Sequence, residues 1–308
     1  MNKNNIKGSL VLLLAAVIWG FTFVAQDMVN EAGVEPFTLN AIRSYIGCFF
    51  LIPVTAFLSK KKGITLIPSQ KKDRKKLIIA GIVCGTCLCV AANLQQFGIA
   101  AYPAGVAVSA RAGFLTAMYI LMVPIFGIFM KKSPEITVWI GVAVAVVGLY
   151  LLCFSDKISG IYFGDVVMLL CAVAFSMHII FVDKFLEKSV DGVKLSCVQF
   201  FVCATLSTIL MFVFEKPDIN NILDAALPIL FAGIMSSGIA YTLQIIGQNI
   251  CENPTVASIS MSFESVFGAV GGAIFGDIMD NREITGCVIM FAAVILAQLP
   301  SPFKNKRV

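Results

Sequence analysis

The sequence predicts an all-α membrane protein whose ten transmembrane helices form two inverted five-helix repeats. Three observations carry that expectation. Of 308 residues, 58% are hydrophobic and only 13% charged, with a mean hydropathy of +0.90, too few charges to solvate the surface of a water-soluble fold. Ten apolar runs are each long enough to cross about 30 Å of hydrocarbon. The first half of the chain also resembles the second.

The runs fall near 8–29, 36–58, 77–98, 104–130, 135–154, 164–185, 194–214, 225–248, 254–275 and 284–300. The first continues from Gly8 to about Val29 with no small-x-small site to end it, so it reads as a span and not as a cleaved leader. Pro36, Pro134 and Pro254 suit the first turn of the second, fifth and ninth spans, where a missing amide leaves nothing unpaired. Lys-rich or Gly/Asn/Asp-rich stretches separate the rest. Pro124 is expected to kink the fourth span.

The net charge of +5 does not read as nucleic-acid binding once its placement is considered. With the N-terminus in the cytoplasm, the cytoplasmic loops hold 18 of the 23 Lys and Arg residues, the outer loops three, and the spans two. That bias predicts a multi-pass protein of the cell membrane with both termini in the cytoplasm. The run Lys71, Lys72, Arg74, Lys75 and Lys76 serves either this topology or a contact with lipid headgroups.

Leu13-Leu14-Ala15-Ala16-Val17 through Asp27 lies over Leu169-Leu170-Cys171-Ala172-Val173 through Asp183 without a gap, Trp19 meeting Phe175. Leu94-Gln95 with Gly98 lies over Leu243-Gln244 with Gly247, and Glu135-Ile136-Thr137 over Glu283-Ile284-Thr285. Residues 1–155 and 156–308 are therefore expected to be two copies of one unit. Five is odd, so the second copy enters the membrane upside down, an arrangement that suits alternating access about a midplane site. A duplicated scaffold that transports nothing would share this architecture.

Several segments resemble the drug/metabolite transporter superfamily in its EamA-like branch, which carries two EamA-type repeats. They are Ala16-Val17-Ile18-Trp19-Gly20-Phe21, Ala41-Ile42-Arg43, Leu94-Gln95-Gln96-Phe97-Gly98, and Ala112-Gly113-Phe114-Leu115-Thr116-Ala117-Met118-Tyr119. The resemblance covers nearly the whole chain. It implies transport, members of the family exporting amino acids, metabolites and drugs and others carrying nucleotide sugars. The sequence departs from the family in two places. The ninth span reads Phe263-Glu264-Ser265 where Leu-Glu-Pro is usual, so no proline kink is expected there. The connection from Ile99 to Ser109 is also about four residues longer than its counterpart.

Glu264 lies about ten residues into the ninth span, where a charge costs roughly 2.5–3.5 kcal/mol to insert. It shares a helical face with Gly268 and Gly271, and either takes part in substrate or proton coupling or is a structural carboxyl. Arg111 and Arg43 lie in the outer thirds of the fourth and second spans. Each either grips an acidic group bidentately or gates the outer mouth, and snorkelling to headgroups is the alternative. Gln95 and Gln244 offer hydrogen bonds to a solute or between helices, and the repeat places them toward opposite sides of the membrane, so one cavity is expected to receive one of them. His178, the only histidine, serves as a proton relay or as a packed residue. Trp19 and Tyr119 form an aromatic wall or pack the core.

Two small-residue stripes, Gly105-Ser109-Gly113-Ala117 and Gly268-Gly272-Gly276, allow close helix contact, sliding, or a homodimer contact equally well. Most of the ten cysteines lie in apolar runs and are expected to be reduced thiols. Cys84 and Cys87 form a lone Cys-x-x-Cys with no second pair to complete a zinc site. No phosphate-binding glycine loop, Ser-His-Asp set or metal-ligand cluster is present. The expectation is a secondary transporter, not an enzyme, without cofactor or metal. Its partners are the lipid bilayer, a small-molecule substrate and, through Glu264 and His178, a proton gradient. Efflux of a small polar or amphipathic metabolite is the leading reading, with a nucleotide-sugar or lipid-linked carrier and a silent scaffold as rivals. A basic cavity holding both Arg43 and Arg111 would favour phosphate cargo, and one around Glu264 and Tyr119 amino acids or cationic drugs.

Overall fold

The computed structural model describes residues 3–61, 63, 65–103, 108–129, 135–153, 162–186, 190–251, 253–274, 281–297 and 299. Among them every regular element is helical. Gly105, Gly276 and Pro134, and the basic residues Lys62, Lys131, Lys132, Lys157, Lys188, Lys304, Lys306 and Arg307, lie outside the described residues, as does the middle of the Ile99–Ser109 connection.

The first five spans are α1 (Lys3–Glu31), α2 (Pro36–Lys61), α3 (Lys71–Ala100), the pair α4 (Val108–Ala117) and α5 (Tyr119–Phe129), and α6 (Ile136–Cys153). The second five begin with α7 (Phe163–Leu186) and α8 (Gly192–Phe214). A short α9 (Ile219–Asp224) then leads into the eighth span, made of α10 (Ala226–Phe231), a π-helical run Ala232–Ala240, and α11 (Tyr241–Ile250). The ninth span is the pair α12 (Pro254–Met261) and α13 (Glu264–Ile274), and the tenth is α14 (Asn281–Ala297). Eight of these spans are long and apolar enough to cross a membrane, and shorter apolar helices at Ile136–Leu151 and Ile284–Ala297 complete the ten.

Two spans break near their middles, for different local reasons. In the fourth, the turn at Met118 falls six residues before Pro124 and two before Ile120, whose carbonyl the proline ring displaces. In the ninth, the missing proline predicts a continuous helix, but the structure turns at Ser262 and Phe263. Serine hydroxyls replace the proline as the cause. Ser258 Oγ donates to Thr255 O, Ser260 Oγ to Val256 O and Ser262 Oγ to Ile259 O, at 2.8, 2.9 and 2.8 Å. Ile259 O is the acceptor the Phe263 amide would use in a continuous helix, and such back-bonding bends helices.

The packing places lipid-facing and buried helices in order. α6 and α14 pair at the periphery through small residues: a Cβ on Gly141 would meet Ala297 Cβ at 2.8 Å, and one on Gly148 would meet Gly286 O at 3.0 Å. Their outer faces expose Ile140, Val147, Val288 and Phe291, as lipid contact requires. α2 packs on α8, α3 on α7 and α8, and α1 on α11, α12 and α13. At the end of α2 away from the Lys-rich loop, Glu215 caps the helix: its carboxylate accepts from the amides of Phe37 and Thr38, both at 2.7 Å, and from Thr38 Oγ1 at 2.8 Å. Glu35 returns the favour by accepting from the Lys216 amide at 3.1 Å. The nine cysteines whose side chains are described are free thiols.

Candidate functional site

Where α1, α3, α7 and the two broken spans meet, the bundle does not close. A cavity with about 450 Å³ of empty space, its open mouth included, remains near mid-span. One face of α1 lines it with Trp19, Thr22, Phe23 and Gln26, spaced i, i+3, i+4 and i+7 as a helical stripe must be. Phe175 and Ile179 of α7 and Ser236 of the π-helical run form the opposite wall, with Tyr241 and Gln244 of α11 beside them.

The two helix breaks aim at this space. Tyr119 is the first residue of α5 and Glu264 the first of α13, and both line the cavity. The broken spans also touch each other, Ser265 Oγ donating to Gly113 O at 2.8 Å. Discontinuous helices that end at the midplane are a recurrent way of presenting polar groups to a solute.

Of the eight side chains singled out in the sequence, six line the cavity: Trp19, Arg43, Gln95, Tyr119, Gln244 and Glu264. Gln95 and Gln244 both reach it, although the repeat alone suggests one. Arg43 and Glu264 are each 4% exposed, and neither has an ion-pair partner among the described residues. The cavity therefore contains one cationic and one acidic side chain that do not meet. Trp19 Nε1, Tyr119 Oη, Gln244 Oε1 and Glu264 Oε1 are buried without a hydrogen-bond partner among the described residues, whereas buried polar atoms are ordinarily bonded. The α3 side is held in place: Gln26 Nε2 donates to Gln95 Oε1 at 3.2 Å and to Gln96 Oε1 at 3.0 Å, and Gln95 Nε2 to Thr116 Oγ1 at 3.2 Å.

The other two lie elsewhere. His178 is fully buried behind Tyr241, its Nε2 3.1 Å from Gln199 Oε1, and does not line the cavity. Arg111 is drawn away by Asp165, a residue the sequence reading passed over. Its Nε donates to Asp165 Oδ1 at 2.6 Å and its Nη2 to Oδ2 at 2.5 Å, a bidentate pair between α4 and α7. Tyr102 Oη and the Tyr162 amide also donate to this carboxylate, each at 2.8 Å. The guanidinium lies over the Tyr162 ring, 4.7 Å from its centroid. Burial and the adjacent Asp165 carboxylate push the Tyr102 phenol well above its ordinary range, so it remains a donor.

A family model described as the EamA-like transporter family matches residues 6–154 and again 162–299. An uncharacterized transporter of Archaeoglobus fulgidus is 28% identical over 298 residues, covering 94% of this chain and 85% of its own. The uncharacterized transporter YwfM of Bacillus subtilis is 26% identical over 309 residues, covering 99% and 97%. A protein of known crystal structure superposes with a TM-score of 0.74 at 17% identity, over 95% of this chain and 96% of that one, which shows a shared fold.

Proposed function

The chain belongs to the EamA-like transporter family, and from that premise we propose that it carries a small solute bearing both a positive and a negative group, outward across the cell membrane. The observation that supports this reading is that Arg43 and Glu264 share one mid-span cavity yet do not pair, and neither has an ion-pair partner among the described residues. A polyanionic phosphate cargo would need a net basic cavity, and Arg111, the second arginine such a cavity requires, is held by Asp165. An aliphatic cation would leave Arg43 unmatched. A zwitterion satisfies both ends, and the faces of Trp19, Phe175 and Tyr241 accommodate an apolar body between them. The scaffold reading expects a bundle packed shut at mid-span, which does not agree with the cavity.

In this reading the Lys/Arg-rich loops face the cytoplasm and the two repeats are inverted, so that the cavity opens alternately to either side. Glu264 is the group that would exchange a proton with a gradient, and His178, closed off behind Tyr241, has no part in that exchange.

Counterflow in proteoliposomes tests the proposal, with labelled neutral amino acids, organic cations, organic anions and nucleotide sugars each offered against the same unlabelled compound. Exchange is expected for the zwitterions, with Arg43→Gln and Glu264→Gln each lowering it at least tenfold. Exchange confined to nucleotide sugars would replace this reading, and full gradient-driven transport by Glu264→Gln would remove proton coupling from that carboxylate.

A further inference from the structure

We infer that Arg111 and Asp165 form the latch of the outer gate, a contact that must part each time the cavity opens to the outside. The inference goes beyond the choice of cargo and takes from the proposed function only that the two sides open alternately.

The repeat supplies the first argument. The ungapped alignment of α1 with α7, carried back a few residues, sets Gly8 over Gly164 and Ser9 over Asp165, and Gly98 corresponds to Gly247. The structure shows the same crossing twice. A Cβ on Gly164 would meet Gly98 O at 2.8 Å, and a Cβ on Gly8 would meet Gly247 O at 2.9 Å. One crossing lies at each end of the bundle, above and below the cavity. Immediately beyond each glycine the chain reaches across to a broken span: Asp165 to Arg111 of the fourth, and Ser9 to Ser260 of the ninth, the two hydroxyls 2.8 Å apart. Contacts that recur at both mouths of an inverted repeat are where the mouths close.

The second argument is energetic. Arg111 is 5% and Asp165 7% exposed, and a buried ion pair seldom stabilises a fold more than apolar side chains of the same size would. Cohesion therefore does not explain it. A charged pair has two favourable conditions, paired when dry and hydrated when apart, and so suits a seam that alternates between them, as a leucine seam would not. Tyr102, from the α3–α4 connection, and Tyr162, just before α7, brace the paired state from both sides, and both repeats contribute to it.

Thr22 lines the cavity in the outer half of α1, so Thr22→Cys reports access from outside to a membrane-impermeant thiol reagent, with wild-type protein setting the background from native cysteines. This readout requires no cargo, so a wrong substrate assignment leaves it intact. Asp165→Asn is expected to raise the labelling rate of Thr22→Cys at least fivefold, and the charge exchange Arg111→Glu with Asp165→Arg to bring it back toward the parent rate. Unchanged labelling in Asp165→Asn, labelling gained only from the cytoplasmic side, or an exchanged pair that labels as fast as the single variant would each overturn the latch. Should Asp165→Asn fail to accumulate, Arg111→Cys with Asp165→Cys joined by a bifunctional thiol linker decides the matter. The linked protein should not label at Thr22→Cys from outside until the link is cleaved, and labelling that persists through the link would overturn the proposal.

Discussion

At one end of the bundle Asp165 holds Arg111 with charge-assisted bonds, and at the other Ser9 meets Ser260 through a neutral hydroxyl contact of 2.8 Å. The glycine crossings beneath them are nearly equal in tightness, an added Cβ meeting the facing backbone oxygen at 2.8 Å in one and 2.9 Å in the other. Shape is thus common to the two ends and chemistry is not. The difference teaches that duplication preserves the packing that allows two helices to cross, while the side chain beyond each crossing is free to set how firmly that end holds and how much water its release must supply.

The largest effect expected from breaking this comparison is that of Arg111→Ala. It leaves the Asp165 carboxylate buried without its cation, a change that typically costs about 3–5 kcal/mol, and should lower the thermal unfolding midpoint in detergent far more than any change at Ser9 or Ser260. An equal loss for Ser260→Ala would erase the distinction. Next come the glycines. Gly8→Ala and Gly164→Ala each press a methyl against backbone oxygen, and overpacking of this kind typically costs about 1–3 kcal/mol. The two should destabilise alike, and a large inequality would show that the crossings are not equivalent. Smallest is Ser260→Ala, which removes the contact with Ser9, worth about 1 kcal/mol, and a back-bond to Val256 O whose loss costs little, because such bonds bend and slightly weaken a helix; its unfolding midpoint should stay close to that of the parent.

Much of this was legible beforehand. Apolar runs, basic loops and repeat alignment place the ten spans, because lipid demands long unbroken apolarity and tolerates few alternatives. Glu264, Arg43, Trp19 and Tyr119 are visible because polar or large aromatic groups inside an apolar span need a reason to be there. Asp165 escaped because it lies in the first turn of α7, where an acid is ordinary helix-end chemistry, and only its partner two spans earlier reveals otherwise. The clue was available: Arg111 required a counter-charge, and no other carboxylate of the apolar spans lies at the same end so close to a helix start. Thr22 and Gln26 were equally readable as the polar members of a stripe with Trp19 and Phe23. The break before Glu264 could have been read from Ser258, Ser260 and Ser262, whose hydroxyls compete for helical carbonyls, had serine been weighed as heavily as proline.

The π-helical run Ala232–Ala240 forms part of the cavity wall through Ser236 and lies against α2, where a Cβ on Gly233 would meet Ile46. A π turn holds more residues than an α turn, so this stretch has chain to spare. A descendant that lost one residue here could close to ordinary α geometry while α10 and α11 kept the faces they now present. For a lineage that must alter what it carries without rebuilding its ten spans, this is the place where length can change and only the wall of the cavity is redrawn.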